Sequence, residues 1–335
     1  MIKIGIIGIG RLGSQHLEKL MESDYFKVVG CFDTDTAKLQ RIQEDYSVSC
    51  FSDVDELISK CDAVDIMTPA SSHFYYAEKA IRHGKHVFID KPISNNFEEA
   101  KKLVELVREA GIKFQVGHIE RFNPAFLALR DLELNPMFIE AHRLSHFDAK
   151  RTNDSVVLDV MIHDIDIVLS VVKANIKSIN ASGVSVLSDQ IDIANARIEF
   201  DNGCVANLTA SRTSVQKMRK MLFFQKDNHI TLDFLHRETE MLKLSETAKH
   251  NSIPMRLQDN TKYLNSETMV PEEYDALKEE LNSFAESLIF NTEPRVTALD
   301  GLKSLEVAME ILQKINKMNA HIIQPLNHKI DEMAY

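Results

Sequence analysis

The chain has 335 residues, 44% of them hydrophobic and 27% charged, which is typical of a soluble globular protein with room for two domains. Its 39 Lys and Arg against 50 Asp and Glu give a net charge of −11, which argues against a general nucleic-acid surface. The four cysteines show no paired metal-ligand spacing, so we predict no metal site. No signal-like segment precedes the first strand and no apolar run could span a bilayer, so we expect a cytoplasmic protein without a membrane partner.

Strand-like and helix-like segments alternate from residue 1 to about 117. The runs that predict strands lie at residues 2–7, 26–32, 47–51, 63–67, 86–89 and 114–117. Such alternation predicts an α/β fold with a doubly wound parallel sheet of the Rossmann type, covered on both faces by helices. Ligands on such sheets bind beyond the carboxyl ends of the strands. The candidate segments are therefore Gly8–Gly13, Asp33, Thr68–His73, Asp90–Pro92 and Gly117–Asn123.

A glycine motif joins the first predicted strand to the first predicted helix. Gly8, Gly10 and Gly13 have the spacing G-x-G-x-x-G. The first glycine permits a tight turn, the second lets a pyrophosphate approach the backbone, and the third lets the helix pack close to the strand. The helix start at Arg11 and Leu12 offers backbone N–H groups to phosphates. This arrangement predicts a dinucleotide site.

Two further segments complete the predicted cofactor site. Asp33 ends the second strand twenty residues after Gly13. A carboxylate there accepts hydrogen bonds from the ribose hydroxyls and repels a 2′-phosphate, so we predict NAD rather than NADP. Thr68 and Pro69 follow the strand at 63–67. His73, near the next helix start, either contacts the cofactor region or caps the helix together with the two serines before it, and we favour the cap.

The pattern changes near residue 135. Strands are predicted at 137–144, 177–188, 190–200, 204–212, 221–224 and 229–234, and a helix at 156–172. Asp201-Asn202-Gly203 is a strong hairpin signal, because Asn and Gly tolerate positive φ. These segments predict an α+β domain with a mostly antiparallel open sheet. A polar stretch from 246 to 266 is predicted as a mobile loop, and the closing helices at 271–290, with Pro271 at the first helical position, and 298–318. We place the domains at 1–120 and 121–335, with the last helices packing back on the first.

Two clusters of residues are candidates for catalysis. Asp159 and His163 stand at i and i+4 of the predicted helix, where a carboxylate raises the basicity of the imidazole; alternatively both are merely solvated. Lys91 stands between Asp90 and Pro92 at the ligand edge, where an ammonium group stabilises a developing alkoxide. The alternative for Lys91 is an ordinary surface lysine in a strand-to-helix turn.

In combination these motifs resemble the glucose–fructose oxidoreductase / inositol dehydrogenase / MocA family over nearly the whole chain. The resemblance implies a Rossmann domain, a second domain whose open sheet makes homodimers or homotetramers, and a catalytic set of Lys91, Asp159 and His163. It also implies that Thr68, Pro69, His73, Asp90 and Lys91 bind the cofactor. Two positions depart from the family pattern: Asp90 replaces a glutamate, and Met161 replaces a glycine.

The stretch from Gly117 to Pro124 carries the predicted substrate residues Glu120, Arg121 and Asn123. It is similar to a stretch in family members that oxidise the 3-hydroxyl of UDP-N-acetylglucosamine or its uronate. An arginine and an asparagine at the end of a strand hold a sugar or a diphosphate well. The alternative is that Glu120 and Arg121 pair with each other and only shape the domain junction. Further candidates for anion contacts are Arg143, Arg151 and Arg212.

The predicted function is NAD-dependent oxidation of a sugar hydroxyl to a ketone, at carbon 3 of UDP-N-acetylglucosamine or a related nucleotide sugar. Three alternatives stay open: a dehydrogenase of a free polyol or hexose of the inositol type, an NAD-dependent glycosidase, and a non-catalytic NAD-binding regulator. The expected partners are a small sugar or nucleotide-sugar substrate and further copies of the same chain.

Overall fold

The computed structural model describes residues 1–149, 152, 154–226, 228–249, 252–257, 260–269 and 275–332, without the side chains of 257, 260 and 321–332. The chain forms two compact units. One comprises Met1–Phe122 with Tyr274–Leu305, and the other Asn123–Glu273 with Glu306–Tyr335. The boundary expected between residues 120 and 121 stays a prediction.

The first unit contains a parallel sheet in the order β3-β2-β1-β4-β5-β6. Its strands are β1 (Ile2–Ile7), β2 (Phe26–Phe32), β3 (Cys50–Phe51), β4 (Ala63–Ile66), β5 (His86–Asp90) and β6 (Phe114–Gly117). The intervening helices are α1 (Arg11–Met21), α2 (Thr36–Tyr46), α3 (Val54–Lys60), α4 (Ala70–Arg82) and α5 (Phe97–Ala110). The strand order reverses between β1 and β4, which confirms the predicted Rossmann arrangement and opens a crevice at that point.

Local sequence explains where most of these helices begin. Asp35 accepts hydrogen bonds from the N–H groups of Ala37 and Lys38 and so caps α2, and Asn96 caps α5 by accepting from Glu98 and Glu99. The predicted cap of α4 by Ser71, Ser72 and His73 is wrong, because that helix begins at Ala70 behind Pro69, without a side-chain cap. Those three residues instead lie within its first turns.

The second unit is built on a mostly antiparallel sheet in the order β14-β15-β13-β12-β11-β7-β10-β9-β8. Its strands are β7 (Phe138–Leu144), β8 (Ile176–Val184), β9 (Ile193–Phe200), β10 (Val205–Ser211), β11 (Met218–Gln225), β12 (Asn228–Asp233), β13 (Glu238–Ser245), β14 (Ile253–Leu257) and β15 (Asn260–Met269). The pair β7–β10 is parallel and the other ladders are antiparallel. The predicted hairpin joins β9 to β10, with Gly203 at φ +87°.

Helices cover one face of this sheet. The short α6 (Pro124–Leu127) follows a 3₁₀ turn at Ile119–Phe122, and a π-helical segment at Val157–Met161 leads into α7 (Ile162–Val171). Ile162, Ile165 and Val168 of α7 are fully buried against the sheet. The predicted helix at 156–172 is therefore present, but its first part has the wider π form.

The mobile loop predicted at 246–266 is wrong. Strand β14 and most of β15 lie there, and β15 pairs with β13, with Leu242 opposite Ser266. These strands form the edge of the sheet and bury few side chains, although Asn265 is buried. β15 is mostly polar, and β14 alternates Ile253, Met255 and Leu257 over only five residues that include a proline, so their strand signal is weak.

Two helices follow the second sheet in the chain. Helix α8 (Ala276–Ile289) starts after Asp275, which accepts hydrogen bonds from the N–H groups of Leu277 and Lys278. The start predicted at Pro271 lies outside the described residues. The ring of Phe284 packs against Phe88 in the core of the first unit. Helix α9 (Ala298–Glu332) follows, and within the part of the chain that the structure describes no helix could cross a membrane.

Candidate active site

The glycine turn between β1 and α1 forms an open cradle. A Cβ on Gly10 would meet no heavy atom within 4 Å, whereas one on Gly13 would lie 2.0 Å from the carbonyl oxygen of Gly8. Gly8 has φ +93°, which a side chain rarely allows, and its backbone lies against Thr68. Gly10, at the start of α1, provides no side-chain cap. The open space in front of Gly10 and the uncapped helix start fit a pyrophosphate.

Asp33 is held directly beside this turn. Its Oδ2 accepts a hydrogen bond from the N–H of Ile9 at 2.8 Å, and its Oδ1 accepts one from the N–H of Asp35 at 2.8 Å. The Nζ of Lys38 lies 4.0 Å from the Oδ1 of Asp33. A fixed carboxylate at the end of β2 fits the ribose hydroxyls of NAD, because it accepts hydrogen bonds and carries negative charge.

Thr68 lies at the end of the neighbouring strand β4. Its Oγ1 is buried and has no hydrogen-bond partner among the described residues. The ring of His73 is buried as well, with Nδ1 2.8 Å from the carbonyl oxygen of Pro92 and Nε2 2.7 Å from that of Thr68. Burial lowers the pKa of His73, against the opposing influence of the Asp90 carboxylate and the two carbonyl groups. His73 thus contacts two loops rather than a helix end.

Asp90 ends β5 opposite Gly117 of β6, so the Asp-Lys-Pro tripeptide leaves the sheet at the same edge as the glycine turn. Asp90 and Lys91 are both half-buried, and the Lys91–Pro92 peptide bond is cis. The first unit thereby gathers the glycine turn, Asp33, Thr68 and the tripeptide at the carboxyl ends of its strands, as the sequence predicts.

The residues after β6 are buried. Arg121 is 9% exposed, and its Nη2 lies 3.8 Å from a carboxylate oxygen of Asp300. Asn123 caps α6 by accepting a hydrogen bond from the N–H of Ala125, and its Nδ2 donates to the carbonyl oxygen of Phe234 at 3.1 Å. These contacts give Asn123 a structural task, and the role of Glu120, Arg121 and Asn123 in substrate binding stays a prediction.

Asp159 lies in the π-helical segment, and His163 lies in the first turn of α7. The N–H of Ile162 bonds the carbonyl oxygen of Val157, which is the wider turn of a π-helix, a form frequently found at functional sites. Asp159 and His163 are half-buried, whereas the side chain of Met161 is fully buried in the core. The methionine that replaces the family's glycine therefore packs inward.

The additional arginines form buried ion pairs. Arg143 donates to both carboxylate oxygens of Asp164 at 2.8–3.1 Å. Arg212 donates to Asp192 at 2.8 Å and to the carbonyl oxygen of Asp154 at 2.6 Å. These contacts do not favour the anion-binding role predicted for Arg143 and Arg212, and Arg151 lies outside the described residues.

Asp192 is the acceptor at the centre of the second pair. Its Oδ2 accepts from the N–H groups of Val186, Leu187 and Ser188 at 2.7–2.9 Å. Burial opposes its ionisation, but these hydrogen bonds, together with those from the Ser188 hydroxyl and Arg212, lower the pKa of Asp192. The pair therefore ties the 186–192 loop to Asp154, five residues before Asp159.

Sequence reasoning missed one buried pair in the first unit. Nδ1 of His16, on α1, lies 2.9 Å from a carboxylate oxygen of Asp65, on β4, and both side chains are buried. Burial opposes the imidazolium, but the charge and hydrogen bond of Asp65 outweigh it, so the pKa of His16 is raised. The sequence signal for this pair is Asp65 itself, because an aspartate within a buried strand such as β4 needs a polar partner. Over the described residues, no group of three or more His, Cys, Asp and Glu side chains could hold a metal ion.

Two family models match the chain. The one described as "Oxidoreductase family, NAD-binding Rossmann fold" covers residues 2–118, and "GFO/IDH/MocA C-terminal domain" covers residues 130–231. The UDP-N-acetylglucosamine 3-dehydrogenase of Acidithiobacillus ferrooxidans is 35% identical over 236 residues, which is 70% of this chain and 75% of that protein. The scyllo-inositol 2-dehydrogenase (NAD(+)) of Bacillus subtilis is 27% identical over 330 residues, 92% of each chain.

Solved structures show the same fold. The crystallised UDP-N-acetylglucosamine 3-dehydrogenase of Acidithiobacillus ferrooxidans superposes with a TM-score of 0.85 at 29% identity, over 94% of this chain and 97% of that one. A scyllo-inositol dehydrogenase of Lactobacillus casei with bound NAD(H) and scyllo-inositol gives a TM-score of 0.76 at 21% identity, over 95% of this chain and 97% of that one. At 21% identity, the similarity to the Lactobacillus casei enzyme is evidence for a shared fold alone.

Proposed function

The chain belongs to the GFO/IDH/MocA family of NAD-binding oxidoreductases, and we propose that it oxidises the 3-hydroxyl of UDP-N-acetylglucosamine, or of a related nucleotide sugar, to a ketone. The observation that carries this proposal is its relationship to the Acidithiobacillus UDP-N-acetylglucosamine 3-dehydrogenase, in sequence over 70% of the chain and in fold over 94% of it.

The first unit provides the residues to hold NAD. The backbone from Gly8 to Gly13, including Arg11 and Leu12, would receive the pyrophosphate, and Asp33 the adenosine ribose. Thr68 and Pro69 stand at the end of β4, where the buried Thr68 hydroxyl suits a polar group of the cofactor. Once bound, the nicotinamide supplies the acceptor for a hydride.

Three side chains carry the chemistry in this proposal. His163, oriented by Asp159, removes the proton from the substrate hydroxyl. Lys91 donates a hydrogen bond to the same oxygen and stabilises the negative charge that develops there. The C–H bond of that carbon breaks with its electron pair, so one hydroxyl yields one ketone, one hydride and one proton on His163.

Substrate recognition in this proposal depends on Glu120 and Arg121, which are buried just past the end of β6. A guanidinium there can donate hydrogen bonds to the oxygens of a diphosphate or to the hydroxyl oxygens of a sugar. The side-chain amide of Asn123 is occupied in capping α6. Asn123 would therefore act on substrate binding indirectly, by fixing the end of the 3₁₀ turn that carries Glu120 and Arg121.

A second candidate is oxidation of a free cyclic polyol. It is favoured by the match to the Bacillus subtilis scyllo-inositol 2-dehydrogenase (NAD(+)), which extends over 92% of both chains at a lower identity. The catalytic residues would be the same, whereas Arg121 would not contribute to recognition.

Incubation of the purified protein with NAD and a substrate panel tests both candidates. The panel contains UDP-N-acetylglucosamine, UDP-glucose, free N-acetylglucosamine, and myo- and scyllo-inositol. We expect nicotinamide reduction and a keto sugar, identified by mass spectrometry, with UDP-N-acetylglucosamine. Reduction only with the inositols would select the second candidate. Hydrolysis of a glycoside without net reduction, or NAD binding without turnover, would reject both.

The His163→Ala variant tests the assigned base. We expect its turnover to fall by about 10²–10⁴-fold, while the matched change His236→Ala, at an exposed turn, leaves the rate unchanged. Full activity of His163→Ala would reject this mechanism. Assembly through the open sheet face as a homodimer or homotetramer, and a cytoplasmic location, belong to the same proposal. Light scattering of the purified protein measures the first and fractionation of cells the second.

A further inference from the structure

The ring of His73 joins two loops of the first unit. Its Nε2 faces the carbonyl oxygen of Thr68, after β4, and its Nδ1 faces that of Pro92, after β5. The two distances, 2.7 and 2.8 Å, lie in the hydrogen-bond range. Both oxygens are acceptors, so the neutral imidazole, which the lowered pKa favours, donates its one N–H to one of them. With 1% of its surface exposed, His73 has no room for a direct contact with solvent.

Each of these loops already has a place in the proposed site. Thr68 packs on the glycine turn so closely that a Cβ on Gly8 would lie 2.7 Å from the Thr68 methyl group. Pro92 directly follows Lys91. The imidazole ring of His73 therefore lies between the loop that carries Thr68 and the loop that carries Lys91.

We propose that His73 is a positioning residue: its hydrogen bond to Pro92 holds Lys91 at a fixed distance from Thr68 and so sets the geometry for hydride transfer. This inference rests on the role proposed for Lys91 and on none of the substrate contacts. Small displacements of a catalytic group cost much in rate, since an error of 1 Å can lower it by about 10²-fold. A proton on Nε2 would instead bond the ring to Thr68, which acts only locally, because Thr68 and His73 lie at the same end of α4.

Two amide variants distinguish a hydrogen bond to Pro92 from one to Thr68. The amide nitrogen of Asn can take the place of Nδ1, and that of Gln the place of Nε2. His73→Asn therefore keeps a donor for Pro92, and His73→Gln keeps one for Thr68. His73→Leu keeps neither. Ala80→Gly, at a buried position further along α4, is the control for lost helix stability, which Gly lowers by about 1 kcal/mol.

The measurements are kcat, the KM for the sugar, the affinity for NAD by calorimetry, and the melting temperature. We expect kcat to fall about tenfold or more in His73→Gln and His73→Leu, with NAD affinity changed less than about threefold. His73→Asn should retain most of the rate, and Ala80→Gly all of it. If kcat follows the melting temperature across the four variants, or if His73→Gln equals His73→Asn, the proposal is overturned.

Amide hydrogen exchange gives a readout that needs no sugar. Opening of the loop should speed exchange at Lys91 and Ile93 in His73→Gln relative to His73→Asn. Should the wild-type protein oxidise no substrate on the panel, the proposed function fails, and this comparison still decides the role of His73. Equal exchange in the two variants would overturn it.

Discussion

The carboxylate of Asp33 accepts a hydrogen bond from the backbone N–H of Ile9 at 2.8 Å, so the acid that ends β2 is fixed against the glycine turn that follows β1. Its second oxygen accepts from Asp35 in the same loop. Asp33 therefore has two tasks, since it shapes the turn and presents a negative charge where the adenosine ribose of NAD lies.

The two tasks can be separated by substitution. Asp33→Asn keeps an oxygen that can accept from the Ile9 N–H, but it loses the acceptor for Asp35 and the charge that repels a 2′-phosphate. We expect kcat/KM to rise for NADP and to fall for NAD, with a melting temperature lowered less than in Asp33→Ala. Asp33→Ala loses both acceptors and should melt earlier. An Asp33→Asn variant that still discriminates as the wild type does would show that the charge does not select the cofactor.

The glycines of the turn should respond differently to an added methyl group. Gly10 has φ −71°, and a Cβ there meets open space, so Gly10→Ala should fold with unchanged stability and bind NAD more weakly. In Gly13→Ala the Cβ would lie 2.0 Å from the Gly8 carbonyl oxygen, so this variant should lose stability, by roughly 1–3 kcal/mol for an overpacked site.

Denaturant unfolding and calorimetric titration with NAD measure the two effects separately. If Gly10→Ala binds NAD as tightly as the wild type, the open space in front of it is not the cofactor cradle. A stable Gly13→Ala would contradict the close packing of α1 on the turn.

The sheet of the first unit could be predicted because its signals are local. Its strands are short, buried apolar runs, and glycines or capping residues such as Asn96 and Gly111 mark where helices begin and end. The Asp201-Asn202-Gly203 hairpin is another local signal, since the turn requires positive φ at Gly203. The edge strand β14 is harder to predict, because the alternation of Ile253, Met255 and Leu257 spans only five residues and includes a proline.

Only the part of the candidate site that lies in continuous sequence motifs could be predicted. The glycine spacing and the Asp-Lys-Pro tripeptide stand in continuous sequence. The two carbonyl contacts of His73 and the Arg212–Asp192 pair depend on residues that come together only in three dimensions. The same charged residue type can bind a ligand or pair inside the protein, and only the partners that it meets in the folded chain distinguish the two cases.

Removal of Arg212 should destabilise the second unit strongly. In Arg212→Met the carboxylate of Asp192 loses its guanidinium partner and the Asp154 carbonyl loses a donor, at a cost of roughly 3–5 kcal/mol. Arg197→Met is the matched control, because Arg197 pairs with Glu199 in an exposed position, where such pairs contribute about 0–1 kcal/mol. Urea unfolding compares the two. Equal stability of both variants would mean that the Arg212 pair does not support this part of the fold.

The buried pair of His16 and Asp65 should make stability depend on pH. The pKa of His16 is raised above its ordinary value of 6.5 in the folded protein, so its contribution is complete below pH 6.5 and is lost as the pH rises through the folded pKa. Asp65→Asn removes the charge that raises it. We therefore expect the free energy of unfolding of the wild type to exceed that of Asp65→Asn most at about pH 6, with the difference shrinking toward about pH 9.

Equilibrium unfolding in urea at several pH values measures this difference. The change Asp201→Asn, in the exposed hairpin between β9 and β10, is the control, because it removes one carboxylate without touching a histidine. Its effect on the free energy of unfolding should not vary over the same range, since no histidine loses its partner. If the difference between wild type and Asp65→Asn is constant with pH, or grows as the pH rises, His16 is not stabilised as an imidazolium by Asp65. The contact between His16 on α1 and Asp65 on β4 would then make no pH-dependent contribution to stability near neutrality.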